Sequence, residues 1–272
     1  MKKLIITAAI TGAELDKAKC PALPITPEEQ ADEAKRCVEA GASVIHLHVR
    51  DEKGNPSQEL KCFKSTVDAI RSKCQGNQPI IQFSTGGAVG ELMDKRLAPL
   101  TLKPEMASFN LGSINFGEEL FVNSFADMRQ LASALRQQKI VPEFEIYDAG
   151  HVDNLKKLIQ EKIVSAPYHC QFVLGVPGAL SGSIDNLLFL ARSLPADSTW
   201  GVAGVGRYEL PLAVHAMLMG GNIRVGLEDN IYYAKGQLAD SNAQLVMRIQ
   251  RLALELGIEV ASAAEAKQIL GV

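Results

Sequence analysis

Ala42-Ser43-Val44-Ile45-His46-Leu47-His48-Val49-Arg50-Asp51, lying between Gly41 and Gly54, is a run of β-branched and apolar residues that reads as a strand. A strand's period of two puts His46 and His48 on one face, where two imidazoles can meet one metal ion, although a His-x-His pair also arises by chance. Before it stands a helix. Thr26 caps it, Pro27 takes its first position, Glu28 and Glu29 favour the positive end of its dipole, and Ala31, Ala34 and Val38 supply an apolar face until Gly41. After it, Leu60, Phe63, Val67 and Ile70 mark a second helix between residues 57 and 74.

The same unit recurs along the chain. Further strands are predicted at 4–10, 79–85, 106–110, 141–147, 170–175, 199–203 and 223–227, and helices at 91–97, 124–138, 154–163, 183–194, 209–219 and 243–256, with a short closing helix at 262–270. Eight strands alternating with about eight helices in 272 residues predict a single α/β domain over 1–272, a (β/α)8 TIM barrel with a short C-terminal helix. The competing open sheet would carry a Gly-x-Gly-x-x-Gly turn after its first strand; Thr11-Gly12-Ala13-Glu14 stands there instead. Barrel closure would set the eighth strand beside the first, one strand away from the histidines.

Composition narrows the function. At 47% hydrophobic residues and a formal net charge of -3, the chain has ample core and no electrostatic footprint for nucleic acid. No apolar run approaches the roughly 18 residues of a membrane span, and the apolar start after Met1-Lys2-Lys3 gives way at once to Glu14, Asp16 and Lys17, so it reads as a first strand and not as a leader. Five scattered cysteines without a C-x-x-C pair indicate neither a disulfide framework nor a zinc knuckle, and point to a reducing cytoplasm.

In a barrel, chemistry sits at the C-terminal strand ends. Those ends carry Thr11, Glu14, His46, His48, Ser84, Thr85, Ser108, Asn110, Glu143, Glu145, Arg224, Glu228 and Asp229. Glu228 is the expected third metal ligand, since two His and one carboxylate leave positions open for substrate; otherwise it is an acid at a helix start. Asp229 and Arg224 form either a general base with its orienting cation or a salt bridge at the barrel mouth. Glu143 and Glu145 must bind cations or hydrogen-bond across the interior. Ser84-Thr85-Gly86-Gly87 offers hydroxyls and N–H groups to a carboxylate or oxyanion, and Gly201–Arg207 forms either a phosphate loop or tight turns. His151, His169 and His215 read as structural or surface residues.

These blocks, from Ile6–Glu14 through Ala40–Arg50, Ser84–Gly87, Pro104–Ser108 and Pro142–Asp148 to Arg224-Val225-Gly226-Leu227-Glu228-Asp229-Asn230, resemble the β-keto acid cleavage enzymes. The resemblance runs from the first strand to the last helix. It implies a homotetrameric barrel with zinc on His46, His48 and Glu228, and a reaction in which a β-keto acid and acetyl-CoA give acetoacetate and a new acyl-CoA. It further implies Asp229 as base, supported by Arg224, and Ser84 and Ser108 as substrate contacts; Thr85, Asn110, Glu143 and Glu145 are grouped with them. Glu14 is suited to an ammonium group, which favours a cationic β-keto acid such as 3-keto-5-aminohexanoate. A two-His, one-carboxylate site can also hold iron(II) for oxygen activation, and a non-catalytic, metal-stabilised acid-binding barrel is the third alternative.

Overall fold

The computed structural model describes residues 3–272; Met1 and Lys2, where the leader-like pattern begins, lie outside the described residues. Eight strands alternate with helices: β1 (Ile6–Ala9), β2 (Val44–Leu47), β3 (Ile80–Phe83), β4 (Met106–Asn110), β5 (Val141–Ile146), β6 (Tyr168–Leu174), β7 (Ser198–Gly204) and β8 (Asn222–Val225). Every neighbouring pair is parallel and the sheet closes on itself, β8 against β1 and β1 against β2. The register sets Thr7 opposite Arg224 and Ala9 opposite His46, so closure brings the first, second and eighth strands into one corner as expected. This is the (β/α)8 TIM barrel.

The helices are α1 (Pro27–Glu39), α2 (Leu60–Lys73), α3 (Met93–Leu97), α4 (Phe125–Gln138), α5 (Ala149–Gln160), α6 (Ile184–Ser193), α7 (Glu209–Leu218), α8 (Asn242–Glu255) and α9 (Ala263–Leu270). Reciprocal capping boxes start three of them, Thr26 with Glu29, Ser124 with Asp127 and Ser262 with Glu265. Of the boundaries that differ from expectation, two have a clear local cause. The helix placed at 154–163 begins at Ala149, because Asp148 caps it through the Gly150 N–H and buried His151 and Val152 already belong to its inner face. The last barrel strand stops at Val225, because Gly226 takes φ +146°, and a Cβ there would lie 2.1 Å from the Ala9 carbonyl oxygen.

Inside the barrel, side chains stack in layers by the period of two. Ile5, Val44, Ile80 and Met106 fill the N-terminal end, which α9 closes with Ala266 and Leu270. Two residues further along each of those strands stand Thr7, His46, Gln82 and Ser108, all buried. A core layer this polar is costly unless its groups are paired, and it lies directly beneath the site. Three short hairpins escaped the sequence reading: Val49–Arg50 with Pro56–Ser57, Ile114–Phe116 with Glu119–Phe121, and Tyr232–Ala234 with Gln237–Leu238. They follow the C-terminal ends of β2, β4 and β8, and the second and third contribute Phe116, Phe121 and Tyr232 to the wall of the mouth.

Candidate active site

A cavity of about 600 Å³ opens at the C-terminal ends of the strands. Its floor carries His46, His48, Arg224, Glu145, Glu228 and Asp229; Ser84 and Asn110 stand on one wall, and Glu14 lies at the rim. Thr85 and Ser108 point elsewhere: the Thr85 N–H donates to Ser108 Oγ at 3.0 Å and the Thr85 hydroxyl to the Ser108 carbonyl at 2.7 Å, and neither residue lines the cavity. Glu143 lies one layer below. Arg207, on the glycine loop after β7, is exposed and bonds to the Tyr208 hydroxyl.

The three expected ligands converge. His46 Nε2 and His48 Nε2 each lie 3.6 Å from Glu228 Oε1, and ligand atoms of the three residues fall within 4.8 Å of one another. Donor atoms on a tetrahedral ion with bonds of about 2.0–2.1 Å stand about 3.3 Å apart, so the separations suit one divalent ion. Two further observations fit that use. Glu228 Oε2 is buried with no hydrogen-bond partner, an acceptor without a donor among the described residues. Burial pushes the pKa of His46 down to about 3, with Arg224 adding to it, so the imidazole is neutral and its lone pair is available. Burial would raise the Glu228 carboxyl, but Arg224 holds it well below the usual range.

The loop bearing Glu228 and Asp229 is pinned from three sides. The Glu228 N–H donates to the Ala9 carbonyl at 3.2 Å, the Gly206 N–H to the Asp229 carbonyl at 2.8 Å, and the Leu227 N–H to Asn242 Oδ1 at 2.7 Å. From α7, buried Glu209 accepts from Asn230 Nδ2 and Arg248 Nη2, both at 3.0 Å. Gly12 matters to the same loop: at φ +67° it leaves space that the Glu228 stem fills, and a Cβ there would lie 2.7 Å from Glu228 Cγ. The Gly12 carbonyl is in turn held by Arg50 Nη2 at 2.7 Å.

Arg224 is the hub. Its Nε and Nη2 reach Asp229 Oδ2 and Oδ1 at 2.8 and 2.9 Å, a bidentate fork; Nη2 also reaches Glu228 Oε1 at 2.5 Å and Nη1 reaches Glu145 Oε1 at 3.2 Å. The salt bridge at the barrel mouth is present, and the same contact would orient Asp229 if that residue acts as a base. Burial raises the Asp229 carboxyl above its usual range against the pull of Arg224, and pushes Glu145 up to about 7. Glu145 thus meets a cation, whereas Glu143 accepts from Gln82 Nε2 at 2.9 Å across the interior. The two acids take the two alternatives open to them.

Several residues that shape the site were not singled out in the sequence. Gln82 Oε1 lies 2.6 Å from His46 Nδ1, and a lone polar residue in Ile80-Ile81-Gln82-Phe83 was its visible signal. Gln30 donates to the His48 carbonyl at 2.8 Å, and the hairpin residues Phe116, Glu119 and Phe121 line the cavity.

Comparison with known proteins adds an independent observation. A sequence profile of the beta-keto acid cleavage enzymes matches residues 3–272. The chain is 48% identical to the "3-keto-5-aminohexanoate cleavage enzyme" of Fusobacterium nucleatum subsp. nucleatum, over 99% of this chain and 98% of that one. It is 37% identical to the "3-oxoadipate:acetyl-CoA acetyltransferase" of Cupriavidus necator, over 98% and 94%. Among solved structures, "Ternary complex of ObcA with C4-CoA adduct and oxalate" shares the fold, with TM-score 0.80 and 21% identity, covering 93% of this chain and 68% of that one. The oxygenase and non-catalytic alternatives are left without support. The chain belongs to the beta-keto acid cleavage enzyme family, and it is an enzyme that breaks a carbon–carbon bond by acyl transfer.

Proposed function

We propose that the protein is a zinc-dependent β-keto acid cleavage enzyme that converts a cationic β-keto acid, 3-keto-5-aminohexanoate or a close analogue, and acetyl-CoA into acetoacetate and an amino-substituted acyl-CoA. The observation that carries this reading is the convergence of His46, His48 and the half-satisfied Glu228 beside the Asp229–Arg224 clamp in one cavity. A zinc ion held by those three residues supplies Lewis acidity that makes the C2 protons of a β-keto acid more acidic.

Asp229 is the base. Its raised pKa strengthens it as a proton acceptor, and the Arg224 fork holds the carboxylate in one orientation while it takes the C2 proton. The C2 carbanion adds to the thioester carbonyl of acetyl-CoA and expels the CoA thiolate; that thiolate then adds to C3, the C2–C3 bond breaks, and C2 regains a proton from Asp229. Acetoacetate leaves with the acetyl group as its C3 and C4. Ser84 and Asn110 face the cavity with polar groups for the reacting acid, and both side-chain polar atoms of buried Asn110 lack partners among the described residues. Ser108 and Thr85 support that wall from behind.

Glu14 favours a cationic substrate: it lines the rim, is exposed, and makes no hydrogen bond or salt bridge among the described residues. Arg50 acts on Glu14 only through space, and an ammonium group would give it a direct ion-pair partner. A homotetramer in a reducing cytoplasm belongs to the same proposal. Five buried free thiols suit the compartment, and exposed Leu218, Met247 and Leu254 on α7 and α8 offer apolar surface for contacts between copies. Among the described residues no helix is long and apolar enough to cross a membrane.

Isotope labelling tests the chemistry. With doubly ¹³C-labelled acetyl-CoA, the label is expected at C3 and C4 of acetoacetate, with unlabelled acyl-CoA and no turnover after chelation. Label in the new acyl-CoA, or no acetoacetate from a panel of β-keto acids with zinc-loaded protein, would refute the reaction.

A further inference from the structure

His46 is the most enclosed of the three ligands, at 1% exposure, and its far nitrogen is engaged by a chain of two hydrogen bonds. His46 Nδ1 lies 2.6 Å from Gln82 Oε1, and Gln82 Nε2 donates to Glu143 Oε1 at 2.9 Å. The three residues come from β2, β3 and β5; His46 belongs to the cavity floor, whereas neither Gln82 nor Glu143 lines the cavity.

An amide has two chemically different ends, and which end faces His46 decides the tautomer. Gln82 Nε2 donates to Glu143 Oε1, and with Glu143 ionised the reverse orientation would set the amide oxygen against a carboxylate oxygen; burial works against that ionised form, and the Gln82 N–H and Arg224 work for it. With its N–H committed to Glu143, Gln82 presents its oxygen to His46. That oxygen needs a proton from Nδ1. The remaining lone pair of His46 is then on Nε2, which faces Glu228.

We infer that Gln82 and Glu143 are positioning residues for the metal centre: Glu143 fixes the direction of the Gln82 amide, and Gln82 fixes His46 as the Nδ1–H tautomer with Nε2 free to ligate. The inference rests on the metal centre proposed above and adds residues that touch neither metal nor substrate. Partners at the far nitrogen of a ligating histidine commonly tune metal affinity by about 10–100-fold. The exchange of roles gives a specific check. In Gln82→Glu/Glu143→Gln, a carboxylate at 82 accepts from His46 and an amide at 143 donates to that carboxylate, so the relay is rebuilt with its charge moved one place.

The experiment compares metal-free wild type, Gln82→Met, Gln82→Glu and the double variant by chelator competition for zinc and by the visible spectrum of the cobalt(II) form. Thermal unfolding of the metal-free proteins identifies any variant that fails to fold. Expected are about 10–100-fold weaker zinc binding and an altered cobalt spectrum in Gln82→Met, weaker binding in Gln82→Glu, where two carboxylates meet, and recovery to within about threefold of wild type in the double variant. Zinc binding by Gln82→Met within twofold of wild type with an unchanged spectrum overturns the inference. If Gln82→Met does not fold, the two volume-conserving variants decide, and a double variant no tighter than Gln82→Glu overturns it. A wild type that takes up no metal sinks the metal centre and this inference together, whereas a metal-binding wild type with indifferent variants sinks the inference alone.

Discussion

Replacing Gly12 by Ala tests whether the β1 loop shapes the metal site. The residue sits at φ +67°, where an L side chain costs about 1–2 kcal/mol. For a chain of this size that strain lowers Tm by roughly 2–8 °C. The added Cβ would also lie 2.7 Å from Glu228 Cγ, against about 3.4 Å for ordinary contact, so the ligand's stem must move by about 0.7 Å. Sites of this kind tolerate displacements of about 0.5 Å, so zinc affinity is expected to fall about tenfold or more. Gly54→Ala is the control. Its φ of +84° brings comparable strain, but its Cβ would meet only Ile25 at an ordinary 3.6 Å, and no ligand atom lies within 4 Å of it. Chelator competition and thermal unfolding of both variants separate the two effects. Zinc binding by Gly12→Ala equal to wild type, or an equal loss of affinity in Gly54→Ala, would show that the β1 loop does not shape the site.

Asp229→Asn keeps the shape of the base and removes its proton affinity: kcat is expected to drop about 10²–10⁴-fold while zinc binding stays within a few-fold, read by steady-state kinetics and metal titration. Arg224→Lys loses the bidentate fork and leaves buried Asp229 and Glu145 short of partners, so urea denaturation should show a loss of about 3–5 kcal/mol; unchanged stability would contradict the network. Glu14→Gln is expected to raise KM for an amino-substituted β-keto acid far more than for a neutral one, and equal effects would remove Glu14 from substrate choice. Burial would raise the Glu29 carboxyl, but Lys17 and the capping N–H groups bring it down to about 2. Its stabilisation is therefore present above its unfolded value of 4.5 and lost as pH falls through about 2, and Glu29→Gln should flatten that acid limb by no more than about 1 kcal/mol, because the side chain is 40% exposed.

The barrel was legible because each strand and helix carries a local signature. Continuous apolar runs mark strands covered on both faces, and Thr26, Ser124 and Ser262 announce the helices they cap. Glu228 was legible once closure was assumed, since the register that puts Thr7 opposite Arg224 and Ala9 opposite His46 follows from an eighth strand beside the first. What stayed hidden depends on pairing at long range. Gln82 is 36 residues from His46 and 61 from Glu143, and no local pattern says that three strands will align those side chains in one layer. The separation of Ser84 from Thr85 was hidden for a related reason: adjacent strand-end residues face opposite ways, and only Ser84 meets the cavity. The hairpin Ile114–Phe121 was missed because its strands are three residues long, although Gly117 at φ +63° was a visible turn signal.

The most direct test of the central claim is a crystal structure of the zinc-loaded protein with acetoacetate bound. Such a structure is expected to hold one metal ion on His46 Nε2, His48 Nε2 and a Glu228 oxygen, the ligand's carboxylate end between that ion and the Ser84–Asn110 wall, and the Asp229 carboxylate, still gripped by Arg224, within reach of the protons on the ligand's C2. A metal bound elsewhere, or an Asp229 turned away from the ligand, would contradict it.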